Sequence, residues 1–302
     1  MIKSVLEQLL PEKAITYLTQ IRKNRVRAKV RSLPILTEEM FSNILINELG
    51  LKTGDVVFIH SSVNHLNLGF PFYRILTLIQ QATGDEGTLL FPTYPREPAS
   101  YKYLLSGEIF DIRRTPSYTG ILTEFARRQR NAIRSLHPTK SVCAIGRYAQ
   151  ELTSTHQNSP FPYDSYSPYY KIIKYNGVII GLGVTTTVLS FVHCVEDALK
   201  DEFPVQPYHK RLFGAQCIDY DGEVKIVKTY AHDPRKMNHN IPRYMAKYVH
   251  DDICEDLKIN GMNFYRANAR DLFDRMLDLA KNNITIYPKR SYKGRKLKGK
   301  VI

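Results

Sequence analysis

Gly54-Asp55-Val56-Val57-Phe58-Ile59-His60-Ser61-Ser62 is the stretch on which the reading of the fold turns. Gly54-Asp55 is a turn pair. It is followed by four apolar residues without polar alternation, the pattern of a strand buried on both faces. The run then breaks into an imidazole and two hydroxyls, side chains that suit an open strand end rather than a core. Downstream, residues 73–81 read as a helix, Gly84-Asp85-Glu86-Gly87 as a turn, and Thr88-Leu89-Leu90-Phe91-Pro92 as a second buried strand. Strand, helix and strand at this spacing predict a parallel βαβ unit.

The flanking chain extends the pattern. Residues 3–31 read as a helix, ended by Ser32-Leu33-Pro34, and Thr37 caps a further helix that stops at Gly50. Residues 93–118 are polar, aromatic and proline-rich, and loops of this length are usually functional. A helix is expected over 120–130, a strand over 141–145, and a buried strand over 177–184 leading into a helix across 187–199. Asp221-Gly222 between two alternating runs signals a hairpin. Helices are expected over 242–257 and over 268–282, the latter capped by Asn268. The expected fold is α/β, with a mixed, largely parallel central sheet flanked by helices, a β-hairpin and C-terminal helices.

The formal net charge of +14 is concentrated at the ends. Residues 1–32 carry about +6 and residues 288–302 about +7, which leaves the body near +1. This divides the chain into a basic helical N-terminal extension (1–32), a body (33–287) and a basic C-terminal tail (288–302). The tails suit an anionic surface such as a membrane or a polyanionic glycan. The body makes no claim on nucleic acid, and none is expected as a partner. The four cysteines lack any paired spacing, there is no leader-like segment, and no apolar run spans a bilayer, so a cytoplasmic location is expected.

His193 and Glu196 stand three residues apart after a glycine-flanked, hydroxyl-rich strand end, and so share one helical face. A neutral imidazole oriented by a carboxylate can take a proton near neutral pH. The same pair also reads as a buried histidine bonded to its helix neighbour. His60-Ser61-Ser62 could receive a phosphate or a carbonyl at its strand end.

In their order along the chain these pieces resemble the aminoglycoside 3-N-acetyltransferase family. The resemblance rests on Gly54–Ser62, Gly87-Thr88-Leu89-Leu90-Phe91-Pro92-Thr93, Phe110-Asp111, Thr115-Pro116-Ser117 ahead of Gly120 and Glu124, and Arg134-Ser135-Leu136-His137-Pro138 with Ser141, Ala144 and Gly146. It continues through Ser167-Pro168-Tyr169 and Gly181-Leu182-Gly183-Val184 to Leu189-Ser190-Phe191-Val192-His193-Cys194-Val195-Glu196, and covers about residues 37–280. It implies an acetyl-coenzyme A donor and direct transfer to an amine, without an acyl-enzyme and without a metal. It further implies that His193 is the catalytic base, with Glu196 nearby to orient it and Asp233 at an acid position after the hairpin; Asp111, Glu196 and Asp233 are all open as its carboxylate partner. The coenzyme is expected at His60, Ser61, Ser62, Thr115, Pro116, Ser117, Arg134, Ser135, His137 and Ser141, and the acceptor at Tyr94, Asp111 and His232. Ala231 stands where the family has a second acid after the hairpin, which counts against antibiotic recognition.

The acceptor side is tyrosine-rich and mixed in charge, with Arg96, Lys102, Arg113 and Arg114 against Glu97, Glu108 and Asp111. That composition suits a glycan or an anionic, nucleotide-linked amino sugar better than a polycation. The expected reaction is therefore N-acetylation of an amino sugar, a precursor from polysaccharide or natural-product assembly or else an aminoglycoside. Two other readings remain: a basic-tailed surface- or nucleic-acid-binding protein on this fold, and an acyltransferase with another acyl donor or a hydroxyl acceptor.

Overall fold

The computed structural model describes residues 12–95 and 100–288. Residues 1–11 of the N-terminal extension, Arg96 and Glu97 of the acceptor-side loop, and the basic tail from 289 onward lie outside the described residues. Ten strands are described among them: β1 (Val56–Ser61), β2 (Thr88–Pro92), β3 (Phe110–Asp111), β4 (Ile133–Arg134), β5 (Val142–Gly146), β6 (Val178–Leu182), β7 (Phe213–Ile218), β8 (Val224–Thr229), β9 (Cys254–Ile259) and β10 (Met262–Asn268). Seven form one sheet in the order β4-β5-β2-β1-β6-β10-β9, and β3, β7 and β8 form a second, smaller one.

The large sheet is mixed. Its three central strands, β2, β1 and β6, run parallel. The outer strands β5, β4, β10 and β9 are antiparallel to their neighbours, so the parallel character is confined to the centre. All three parallel strands end at one edge of the sheet, and ligands of open α/β sheets tend to collect at that edge.

The apolar run of β1 is unbroken because both faces of the strand are covered. Val56 and Phe58 face a core with Ile179, Tyr169 and the C-terminal helix Ala269–Lys281. Val57 and Ile59 face a second core with Leu89, Ile180 and the helix Arg74–Thr83. The two-residue period of a strand separates the two sets. His60 follows Phe58 in this alternation, so it is carried onto the first face.

Several sequence expectations change in detail. The expected helix over 242–257 is the helix Ile241–Tyr248 followed by strand β9. β9 returns as β10 through Asn260-Gly261, both at positive φ (50° and 78°), which is the conformation a tight two-residue hairpin requires. The expected helix over 187–199 is two 3₁₀ turns, Thr186–Val188 and Ser190–His193, followed by the α-helix Cys194–Leu199. Leu189 interrupts it with an extended ψ of 86°. The loop 93–118 contains the helix Ser100–Ser106 and the short strand β3, which joins β7 in parallel. As expected, Asp221-Gly222 turns the β7–β8 hairpin, and Asn268 caps the last helix by accepting from the N–H groups of Arg270 and Asp271. Residues 12–31 form one helix, the described part of the N-terminal extension.

Candidate active site

At the edge where the parallel strands end lies a cleft of about 320 Å³ lined by His60, Ser61, Tyr94, Tyr118, Thr119 and Ser190. Its wall is a polar chain. The Tyr265 hydroxyl bonds to Nδ1 of His60 (2.7 Å), His60 Nε2 to Ser190 Oγ (2.9 Å), and Tyr169 donates to the Tyr94 hydroxyl (2.8 Å). Gly181 makes this arrangement fit. It pairs with His60 on one side and Tyr265 on the other, and a Cβ there would run into the Tyr265 ring. Ser61 Oγ is buried beside the cleft without a hydrogen-bond partner among the described residues. Buried polar groups normally have partners, so an orphan at a cleft wall is a ready ligand contact.

The turn that carries Ser190 carries His193 three residues on. His193 Nδ1 lies 2.8 Å from Glu196 Oε1, and Nε2 of His232 lies 3.1 Å from the other oxygen, Oε2. The Tyr287 hydroxyl donates to Oε1 as well, at 2.8 Å. Glu196 is only 3% exposed, and these three groups engage both of its oxygens. A carboxylate accepts only, so the network assigns the His193 proton to Nδ1 and leaves Nε2 as a free lone pair. No described residue bonds to Nε2, and His193 keeps 7% exposure. Burial pushes the His193 imidazole down to about 3, with the charge of Lys140 adding to the effect, so the ring is neutral at physiological pH. His232 is lowered to about 4 by burial and by His193, partly offset by its bond to Glu196.

A second layer holds this pair. Asp197, fully buried, accepts from the Tyr163 N–H and the Tyr208 hydroxyl, both at 2.7 Å, and burial drives its carboxyl well up. The Tyr208 ring stacks on His232 with centroids 4.4 Å apart. Tyr163, Asp197, Tyr208 and Tyr287 escape a reading of motifs. Asp197, one turn from His193, carried a signal; Tyr287, 91 residues from Glu196, carried none.

The residues expected at the coenzyme divide into two groups. His60 and Ser61 line the cleft, with Ser62 next in chain. Thr115, Pro116 and Ser117 lead to Tyr118 and Thr119 in its wall, while Thr115 Oγ1 accepts from the Asp111 N–H and Ser117 Oγ bonds to Thr119 and Thr123. Arg134, Ser135, His137 and Ser141 are 0–2% exposed and directed inward. Arg134 donates to Thr93 Oγ1, Ser141 Oγ and the carbonyls of Thr93 and Thr115, with its guanidinium 4.7 Å above the Phe110 ring. Ser135 bonds to His156, and His137 Nδ1 accepts from the N–H groups of Thr139 and Lys140 while its ring stacks on His156. Their polar atoms brace the loop below the site.

Three acid and acceptor candidates have partners within the protein. The carboxylate that partners His193 is Glu196; Asp233 forms a bidentate pair with Arg235 and lies 3.9 Å from His209. Asp111 accepts from the N–H groups of Arg113 and Arg114, closing its own turn. His232 is held on Glu196. Tyr94 lines the cleft.

Ligand-type atoms of His193, Glu196 and His232 lie within 4.8 Å of one another. At 2.8 and 3.1 Å, the imidazole nitrogens facing Glu196 are at hydrogen-bond distances from its oxygens, and a zinc ion would need its ligands at about 2.0–2.2 Å with those bonds broken. Cys194 is fully buried and its thiol is driven well up, first by burial, so it is no nucleophile.

Comparison with known proteins gives one consistent result. The model of the aminoglycoside 3-N-acetyltransferase family matches residues 58–281. Aminoglycoside N(3)-acetyltransferase III of Salmonella is 26% identical over 166 residues, half of this chain and 57% of the relative. Aminoglycoside N(3)-acetyltransferase VII of Streptomyces paromomycinus is 28% identical over 171 residues, 52% of this chain and 58% of the relative. The chain thus spans little more than half the length of these curated relatives. In fold it is similar to aminoglycoside acetyltransferase AAC(3)-Xa (TM-score 0.71, 18% identity, 88% of this chain and 99% of that one). It is also similar to AAC-IIIb crystallised with CoASH (TM-score 0.65, 17% identity, 83% and 98%).

Proposed function

The chain belongs to the aminoglycoside 3-N-acetyltransferase family, and on that premise we propose that it transfers the acetyl group of acetyl-coenzyme A to an amine on a sugar, with His193 as general base. The observation that carries this reading is the buried His193–Glu196 pair, which leaves Nε2 without a partner among the described residues, on the turn whose Ser190 lines the cleft.

An alkylammonium has no lone pair, so a base must remove its proton before nitrogen can attack a carbonyl. His193 Nε2 takes that proton. The imidazolium formed is stabilised through Nδ1–H by Glu196, itself held in place by His232 and Tyr287. Burial by itself disfavours the imidazolium, so the charge formed on transfer rests on the paired Glu196 carboxylate. The coenzyme supplies an activated thioester carbonyl. The cleft suits it: the lining is largely apolar, and the orphan Ser61 hydroxyl, with strand-end N–H groups, can donate to the oxygen on which charge develops. With Cys194 protonated and buried, transfer is direct.

An amino sugar is the acceptor class, the aromatic wall of Tyr94 and Tyr118 providing a face for a sugar ring. The body 33–287 is the catalytic unit, and the basic segments at either end are accessory, suited to an anionic membrane or glycan surface. Buried free cysteines and a coenzyme A donor suit the cytoplasm.

The test is isothermal titration of the protein with acetyl-coenzyme A, beside His193→Ala. Saturable binding by both, with transfer to hexosamines by the parent alone, is expected. Binding by neither would overturn the donor and the reading with it.

A further inference from the structure

Resting on the acetyltransferase reading, we infer that the acceptor carries an anionic group, a phosphate or a carboxylate, near its reactive amine, and that Lys140 recognises it.

Lys140 sits at the end of the turn that His137 holds through two backbone bonds. Its ammonium lies 4.4 Å from the centroid of the Tyr94 ring, which lines the cleft. Among the described residues it has no ion pair and no hydrogen bond. Its charge nevertheless reaches the catalytic cluster, acting on both His193 and His232. A partly buried cation whose described partner is a ring face is free to take an anion delivered by a ligand. Burial lowers the ammonium to about 8, so it is still charged at neutral pH.

The carboxylates point the same way. A site for a polycation should offer free acids, and this one offers none among the described residues. Glu196 is engaged by His193, His232 and Tyr287; Asp197 by Tyr163 and Tyr208; Asp233 by Arg235. The cleft at the strand ends has no acidic lining residue. A second cleft, which reaches the cluster from the side of His239 and Tyr287, has none either and carries Arg243 and Lys247. A polycationic acceptor meets Arg243 and Lys247 at the second cleft and no acid at the first, where an anionic one has Lys140 beside the Tyr94 ring.

The experiment compares kcat/KM of the full chain with glucosamine, glucosamine 1-phosphate, galactosaminuronic acid and kanamycin, at saturating acetyl-coenzyme A. At least one anionic probe should exceed glucosamine by about 10-fold or more, the scale of one charge-assisted hydrogen bond, and kanamycin should be the poorest. The phosphate and carboxylate arms identify which anion is read. Lys140→Met should bring the ratio of anionic to neutral probe close to one, chiefly through KM of the anionic probe, and Lys140→Arg should retain the preference. Parent enzyme that prefers kanamycin, or acts equally on all four, would overturn this inference and leave the acetyltransferase reading standing. So would a ratio unchanged in Lys140→Met, or a loss of kcat shared by charged and neutral probes, which would assign Lys140 to the reacting carbonyl oxygen. Acetyl-coenzyme A binding without transfer to any amine would remove the acceptor class and this inference together.

Discussion

His193 Nδ1 lies 2.8 Å from Oε1 of Glu196, one helical turn further along the chain. The pair straddles the junction between a 3₁₀ turn and an α-helix, so the tighter turn presents the imidazole while the helix start anchors its carboxylate. His193→Ala should lower kcat by about 10²–10⁴-fold, the usual range for a positioned acid–base group. Glu196→Gln should lower kcat by roughly tenfold or more, because the imidazolium loses its counter-charge. Steady-state kinetics at saturating donor would check both; an unchanged kcat in His193→Ala would reduce the pair to a structural bond.

Five histidines, His60, His137, His156, His193 and His232, are buried, and burial lowers each of them: His60, His156 and His193 to about 3, His232 to about 4, and His137 well below its ordinary value. The unfolded chain takes up protons on these rings near pH 6.5, whereas the fold resists until far lower pH. Below about 6.5 the unfolded state therefore binds more protons, and stability falls as pH drops toward 3–4. Each ring contributes up to about 1.4 kcal/mol per pH unit in that window. Thermal unfolding should show Tm level above pH 7 and lower by roughly 5 °C or more at pH 5.5. A flat profile across this range would contradict the burial of neutral rings.

Arg134 separates a structural role from a coenzyme role. Its guanidinium is satisfied by Thr93, Ser141 and the Thr115 carbonyl and packs on Phe110, all within the protein. Arg134→Ala leaves several buried acceptors unmade and should cost about 3 kcal/mol. Urea unfolding would measure it. Loss of coenzyme affinity with stability intact would instead assign the residue to the donor site.

Gly181→Ala tests the strand that separates His60 from Tyr265. The added methyl meets the Tyr265 ring, which must move and take its hydroxyl from His60. A loss of about 1–3 kcal/mol is expected from overpacking, together with weaker acetyl-coenzyme A binding at the cleft. Calorimetry on the same sample reads both; wild-type values for each would mean that the ring does not brace His60.

Much of this protein was legible in one dimension. Unbroken apolar runs at 56–59 and 88–91 could only be strands buried on both faces, and their spacing required a helix between them. The separation of His193 from Glu196 already put both on one face. Asn260-Gly261 is an equally local hairpin signal, the one that turns β9 into β10. What tertiary structure alone decided was the partnership of distant polar groups. Asp233 and Glu196 were both eligible carboxylates; folding gave Asp233 to Arg235 and gave Glu196 to His193, His232 and Tyr287. Arg134 and His137 resembled ligand contacts until packing turned them inward. The physical reason is range. Periodicity records how a residue sits relative to its neighbours within a turn or a pleat. The partner of a buried polar atom is set instead by which segments the sheet order brings together, and that order is a property of the whole fold.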